Sequence, residues 1–217
     1  MKTAIITGIT GQDGAYLAAL LLEKGYRVHG TYRRTSSVNF WRIEELGIHG
    51  HPNLNLVEYD LTDLGASIAL LQKVQPDEIY NLGAMSHVRY SFDIPTYALD
   101  TVAMGTARLL EAARTIKGVK FYQASSSEMF GNSPAPQSEY TIFNPRSPYA
   151  VAKVAAHNLA SNYREAYGMF VCCGILFNHE GPNRSDDFVT RKITKAVANI
   201  LFGLQSDLIL GNLEAKR

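Results

Sequence analysis

Tyr149 and Lys153 stand four residues apart in the run Tyr149-Ala150-Val151-Ala152-Lys153. On a helix that spacing places both side chains on one face. An ammonium beside a phenol lowers its pKa from about 10 toward the working pH. A phenol so tuned takes the proton from an alcohol, which is half of a hydride-transfer reaction. Taken alone, the pair is also what chance puts on an exposed helix face. Its meaning depends on the elements around it.

Those elements alternate. Ala4–Thr7 reads as a strand, Tyr16–Lys24 as a helix with Leu17, Leu20 and Leu21 on one face, and Tyr26–Tyr32 as a second strand. Leu54–Tyr59, Glu78–Leu82 and Lys120–Ala124 read as further strands, with helices over Ser67–Val74 and Thr101–Arg114 between them. The helix Tyr149–Ala166 carries the Tyr/Lys pair, and a buried strand over Phe170–Phe177 follows. Such alternation predicts an α/β fold: a doubly wound parallel sheet of Rossmann type, covered on both faces. After Phe177 the text loosens into Asn178-His179-Glu180-Gly181-Pro182-Asn183-Arg184. A helix over Phe188–Leu204 and a short strand over Leu208–Leu210 are expected next. We read residues 1–177 as one domain and 178–217 as the beginning of a smaller C-terminal one, apparently truncated.

The first strand–helix junction reads Gly8-Ile9-Thr10-Gly11-Gln12-Asp13-Gly14, spaced G-x-x-G-x-x-G. Gly8 permits a tight turn, Gly11 lets backbone amides approach a pyrophosphate, and Gly14 lets the helix pack on the strand. An ordinary strand–helix turn is the alternative. Arg33-Arg34 closes the second strand, with no carboxylate there. A carboxylate at this point binds a free ribose 2′-hydroxyl, whereas arginine accommodates a 2′-phosphate. The residues therefore favour NADP over NAD, with two exposed loop arginines as the plain alternative. Asp60-Leu61 could meet an adenine edge, and the small residues of Leu82-Gly83-Ala84 could let backbone lie against the cofactor.

Ser125-Ser126-Ser127-Glu128 follows the strand Lys120–Ala124, at the sheet edge where ligands bind in parallel sheets. Ser126 can hydrogen-bond the alcohol that Tyr149 deprotonates, although a serine run here is also an ordinary turn or cap. Alcohol oxidation needs only Ser, Tyr and Lys. Glu128 beside them suggests a second proton transfer.

Composition narrows the classes. The 217 residues carry a net charge of +1, with 46% hydrophobic and 19% charged residues, as in ordinary globular proteins. No basic run suggests a nucleic-acid groove or a membrane-surface patch. No apolar run nears the roughly 18 residues of a membrane span. Cys172 and Cys173 are adjacent and lack metal-ligand spacing, so neither a disulfide nor a metal site is expected. With a strand beginning at Lys2-Thr3 rather than a signal-peptide run, a cytoplasmic location is expected.

The loop Gly8–Gly14 together with Ser126, Tyr149 and Lys153 resembles the extended short-chain dehydrogenase/reductase superfamily. Within it the chain is similar to the GDP-mannose 4,6-dehydratase family. The similar stretches are Gly8–Leu17, Leu21–Gly30, Gln123–Gly131, Pro145–Lys153, Asn162–Gly168, Gly174–Glu180 and Phe188–Ile193, with Leu210-Gly211-Asn212-Leu213 near the end. The resemblance implies dehydration of GDP-mannose to GDP-4-keto-6-deoxymannose with no net redox change. Tyr149, assisted by Ser126 and Lys153, would take the 4-hydroxyl proton while hydride leaves C4 for NADP. Glu128 would remove the C5 proton and help the 6-hydroxyl leave as water, and hydride would return to C6. It also implies cofactor contacts at Gly8, Ile9, Thr10, Gly11, Gln12, Asp13, Arg33, Asp60, Leu61, Leu82, Gly83, Ala84, Met85, Ser86, Tyr97, Lys153, His179 and Arg184. Ser86, Asn178, Val189 and Lys192 would lie near the sugar nucleotide. Arg33–Ser37 resembles a segment that reaches a neighbouring subunit's cofactor site in this family, which implies a homodimer or homotetramer.

The chain departs from the family pattern at two of these positions. Ser126 stands where threonine is usual, keeping the hydroxyl. Met85 stands where glutamine is usual, and a thioether cannot replace the amide's hydrogen bonds. Two other readings compete: an NADP-dependent sugar-nucleotide epimerase or reductase, and a non-catalytic NADP-binding module. Glu128 disfavours the first, since neither reaction includes an elimination. The intact Ser126/Tyr149/Lys153 set disfavours the second.

Overall fold

The computed structural model describes residues 1–37, 39–211 and 213–214. It divides into two compact units, Met1–Asn178 and His179–Arg217.

In the first unit, strand β1 (Thr3–Thr7) leads into helix α1 (Gln12–Glu23), then β2 (Arg27–Tyr32), a short α2 (Trp41–Glu45) and β3 (Leu54–Glu58). Helix α3 (Leu64–Val74), β4 (Glu78–Asn81), the short α4 (Val88–Ser91) and α5 (Pro95–Leu99) follow. A π-turn over Asp100–Met104 joins α5 to α6 (Gly105–Ala113). Then come β5 (Lys120–Ser126), α7 (Pro148–Tyr167) and β6 (Phe170–Leu176). All strand pairs are parallel, in the order β3-β2-β1-β4-β5-β6. This is the doubly wound Rossmann order. Its direction reverses between β1 and β4, where a crevice opens beyond the strand ends.

Both faces are covered because successive residues of buried strands point to opposite sides. Ile5, Ile79 and Phe121 pack with Leu71, Leu109 and Leu110 on one face. Ala4, Ile6 and Val28 pack with Ile9, Leu21, Leu22 and Ile43 on the other. Helix α7 is framed by strong end signals. The Ser147 side chain accepts from Ala150 N at 3.1 Å, Pro148 opens the first turn, and Gly168 at φ 63° closes the last.

Several elements differ from the sequence expectation. Helix α1 begins at Gln12 rather than Tyr16, because the second half of the glycine-rich run is already its first turn. Ser125 and Ser126 belong to β5, since their pairing with Ile175 and Leu176 extends the ladder. The strand over Phe170–Leu176 is not buried: it is the sheet edge, and only Val171 is fully enclosed. The helix expected over Thr101–Arg114 is part of a longer run from Pro95 with a π-turn inside it.

In the second unit, α8 (Val189–Leu201) is preceded by a charged turn. Glu180 pairs with Arg184 at 3.1 Å, accepts from Thr190 Oγ1 at 2.6 Å, and Arg184 lies 3.5 Å over the Phe188 ring. The expected strand over Leu208–Leu210 does not form, because no strand among the described residues pairs with it. The Ile209 carbonyl instead accepts from Lys192 Nζ at 2.8 Å. Asn212 of the Leu210–Leu213 motif lies outside the described residues.

Candidate active site

Beyond β1 the chain turns on glycines that tolerate no side chain. Gly8 has φ +73°, and a Cβ there would sit 2.9 Å from Gly83 Cα. A Cβ on Gly14 would sit 2.4 Å from Gly8 O, which ties the first turn of α1 to the end of β1. The Gly8 and Ile9 amides donate to Thr31 O at 3.1 and 3.0 Å.

These turns wall one side of a cleft of about 310 Å³ at the β1/β4 reversal. Gly8, Thr10, Arg33, Asp60, Leu61, Gly83, Ala84, Met85 and Tyr97 line it, bringing together nine of the expected cofactor residues. Arg33 Nη1 donates to Tyr97 Oη across the cleft. Asp60 is held by Thr62, whose N and Oγ1 both donate to its Oδ1 at 2.9 Å. Thr101, from the π-turn, also lines the cleft. Its buried Oγ1 has no hydrogen-bond partner among the described residues. An orphaned hydroxyl and a wall of bare backbone suit a polar dinucleotide. Thr101 was not legible in the sequence, since only the π-turn aims it there.

Other expected residues lie elsewhere. The Ile9 side chain is fully buried in the core, where its Cδ1 would meet a Cβ on Gly30 at 2.0 Å; only its backbone remains for a ligand. Gly11 caps α1, and Gln12 Nε2 donates to Asp13 Oδ1 at 3.1 Å in its first turn. Leu82 packs on the core, and Ser86 is exposed on the loop after β4. Asn178 ends the first unit, and His179, Arg184, Val189 and Lys192 belong to the second.

A neighbouring cavity of about 240 Å³ is lined by Thr10, Tyr32, Arg33, Thr35, Asn39 and Arg42. Arg42 Nη1 donates to Thr10 O at 2.9 Å, and its guanidinium lies 4.4 Å from the Trp41 ring centroid. Arg34 is directed away, to Glu58 at 3.4 Å on the exposed edge. The second arginine at the cavity is thus Arg42, not Arg34. The hidden signal was the short helix α2, too brief for periodicity to reveal.

Beyond β5, Ser126 is 8% exposed and its Oγ accepts from Glu128 N at 3.2 Å. This caps a 3₁₀ turn over Ser127–Met129 that presents the half-buried Glu128. Tyr149, also 8% exposed, is near enough to the Ser126 hydroxyl and to the Glu128 and Asp13 carboxylates for all three to act on its phenol. Lys153 Nζ lies 5.8 Å from the Tyr149 ring centroid and donates to Ala124 O at 2.6 Å. Ser126, Glu128, Tyr149 and Lys153 therefore converge at one strand end.

Their electrostatics overturn one expectation. Tyr149 is not lowered by Lys153. Burial pushes the phenol up to about 12, the two carboxylates add to that, and only the Ser126 hydroxyl opposes it. Burial also draws Lys153 down to about 8. Sharing a helix face brought the lysine near, but its ammonium is turned to a backbone carbonyl.

A glycine-lined cleft at the sheet reversal, with Ser, Glu, Tyr and Lys at the next strand end, defines a Rossmann-type domain of the kind found in nucleotide-sugar dehydratases and epimerases. The dTDP-glucose 4,6-dehydratase DesIV of Streptomyces venezuelae, solved with NAD and TYD bound, is 26% identical with TM-score 0.80, over 93% of this chain and 62% of that one. A UDP-N-acetylglucosamine 4-epimerase of Methanobrevibacter ruminantium, in complex with UDP-N-acetylmuramic acid, is 25% identical with TM-score 0.82, over 91% of this chain and 63% of that one. The family model described as GDP-mannose 4,6 dehydratase matches residues 5–217. GDP-mannose 4,6 dehydratase 2 of Arabidopsis thaliana is 57% identical and the Homo sapiens GDP-mannose 4,6 dehydratase 53%, each over all of this chain and 60% of the relative. The chain belongs to the GDP-mannose 4,6-dehydratase family. It spans about 60% of the length of these curated relatives.

Among the described residues no helix is long and apolar enough to cross a membrane, and no group of three or more His, Cys, Asp or Glu is placed to hold a metal ion.

Proposed function

We propose that the chain carries the cofactor-binding and catalytic part of a GDP-mannose 4,6-dehydratase, forming GDP-4-keto-6-deoxy-D-mannose from GDP-D-mannose. The observation that carries this reading is Glu128, whose backbone N is held by Ser126 Oγ and whose carboxylate is near enough to the Tyr149 phenol to raise its pKa. A nicotinamide dinucleotide, when bound, supplies the reversible hydride acceptor that such a redox-neutral dehydration requires. Gly8 through Asp13, Asp60, Leu61 and Leu82 through Ser86 would hold it along the cleft, with Arg33 and Tyr97. NADP is favoured over NAD because Arg33 and Arg42 bring two guanidiniums to one cavity.

In this mechanism Tyr149 Oη takes the proton of the sugar 4-hydroxyl. Ser126 Oγ hydrogen-bonds the same oxygen and steadies the phenolate. Since burial opposes ionisation of Tyr149, a positive charge brought beside the phenol is what makes it a base. Lys153 is the cation nearest to hand. Once C4 is a ketone the C5 proton is acidic, and the Glu128 carboxylate removes it. The carboxyl so formed protonates the departing 6-hydroxyl, which leaves as water. One side chain thus serves as base and then acid on adjacent carbons.

His179 and Arg184 would complete the cofactor contacts, and Asn178, Val189 and Lys192 those to the sugar nucleotide. The second unit would then begin the substrate-binding domain. A cytoplasmic homodimer or homotetramer fits the reading. Mass spectrometry of GDP-mannose incubated with the chain and NADP tests it. Loss of one water with no net NADPH supports the reading, while an isomer of unchanged mass would replace it with an epimerase.

A further inference from the structure

Three central strands carry an unusual row of side chains. Ile5, Ile79 and Phe121 are in register across β1, β4 and β5 and form ordinary apolar core. Two residues further along, on the same face, the row becomes Thr7, Asn81 and Gln123. These three are 1%, 2% and 1% exposed. Burying two amides and a hydroxyl is unfavourable unless every polar atom is paired.

Here the pairing is complete and runs one way. Gly83 N donates to Thr7 Oγ1 at 2.8 Å, and Thr7 Oγ1 donates to Asn81 Oδ1 at 2.8 Å. Asn81 Nδ2 donates to Gln123 Oε1 at 2.8 Å and to Thr106 Oγ1 at 3.2 Å. Gln123 Nε2 then donates to Ala124 O at 3.1 Å. The same carbonyl receives Lys153 Nζ at 2.6 Å. A chain of aligned donors therefore begins at Gly83, on the cleft wall, and ends at the acceptor that holds the lysine. Aligned bonds in a dry interior polarise one another and fix their members tightly.

We propose that Gln123, as the last link of the Thr7–Asn81–Gln123 chain, is a positioning residue for Lys153: it fixes the Ala124 carbonyl on which the lysine is held. The Gln123 amide lies beneath the site and acts only through that carbonyl. The role rests on the dehydratase reading for its catalytic consequence, but not for its structural one.

The test is Gln123→Met in the 217-residue chain, which conserves volume and removes the hydrogen bonds to Asn81, Thr106 and Ala124 O. At pH 6 the Lys153 ammonium is protonated, and its ¹⁵N–¹H signal reports exchange of the bonded protons. Exchange is expected to quicken at least fivefold, with turnover of GDP-mannose falling about tenfold at unchanged KM. A purely structural role would lower stability yet leave the ammonium signal of the folded protein as in wild type, and that result overturns the proposal. Should Gln123→Met not fold, the Gln123 side-chain amide signal is followed in wild type and in Lys153→Met. A shared carbonyl requires that signal to move when the lysine leaves, and an unmoved signal overturns the proposal. If wild type forms no dehydrated product, the dehydratase reading fails, while both spectroscopic arms still decide the position of Gln123.

Discussion

The two ends of the candidate site are built on opposite principles. The cleft beyond β1 is made by leaving side chains out: a Cβ on Gly8 or Gly14 would strike backbone within 3 Å. The constellation beyond β5 is made by burying side chains that prefer water: Lys153 is 4% exposed and Tyr149 8%. The first arrangement brings backbone to the cleft wall and is set by steric fit. The second holds titratable groups away from their ordinary pKa values and is set by desolvation. A change in the first should therefore act on stability and cofactor affinity together, and a change in the second on chemistry.

The contrast is broken most directly by Tyr149→Phe, which removes one oxygen. Turnover should fall by about 10³-fold with cofactor affinity kept, within the range for losing an acid–base group. Substantial residual turnover would mean that Tyr149 is not the base. Glu128→Gln should lower water loss by about 10²-fold and abolish solvent exchange of the C5 proton, again with cofactor binding intact. Normal C5 exchange in that variant would remove Glu128 from the mechanism.

Lys153→Met sharpens the contrast through pH. The folded-state pKa of Lys153 lies near 8, below its ordinary 10.5. Between those values the unfolded chain holds the proton and the folded chain does not, so stability rises with pH. The Lys153 contribution is present above about 10.5 and is lost as pH falls through 8. Urea unfolding from pH 8 to 10 should show wild type gaining about 2–3 kcal/mol relative to Lys153→Met. Parallel pH curves would place the lysine in solvent.

On the other side, Gly14→Ala should lower stability by about 1–3 kcal/mol and weaken NADP binding in the same variant, because its Cβ meets backbone rather than a mobile side chain. Loss of only one of the two properties would separate packing from ligand binding and weaken the contrast. The smallest effect is expected for Arg33→Ala: about tenfold weaker NADP with NAD nearly unchanged, read by titration calorimetry. Equal weakening of both would withdraw the 2′-phosphate assignment.

Much of the cleft was legible in the sequence because its rules are local. A strand, three spaced glycines and a helix identify the turn wherever they occur. Asp60, Leu61, Gly83 and Ala84 follow strand ends, and strand ends in a parallel sheet share one edge. Arg42 and Thr101 were not legible: a five-residue helix and a π-turn aim them, and neither leaves a periodic pattern. The edge position of β6 was equally hidden, since an apolar run reads the same in the centre of a sheet and at its rim.

The sequence by itself determined the alternation, the parallel sheet, the glycine turn and the shared face of Tyr149 and Lys153. These depend on residues within a few positions of one another. Only the tertiary structure decided that Lys153 is held by Ala124 O, that burial raises the Tyr149 phenol, and that Thr7, Asn81 and Gln123 join into one chain beneath them. Spacing along a helix sets which residues share a face. The charge they carry there depends on desolvation by groups distant in sequence, and only the closed fold brings those together.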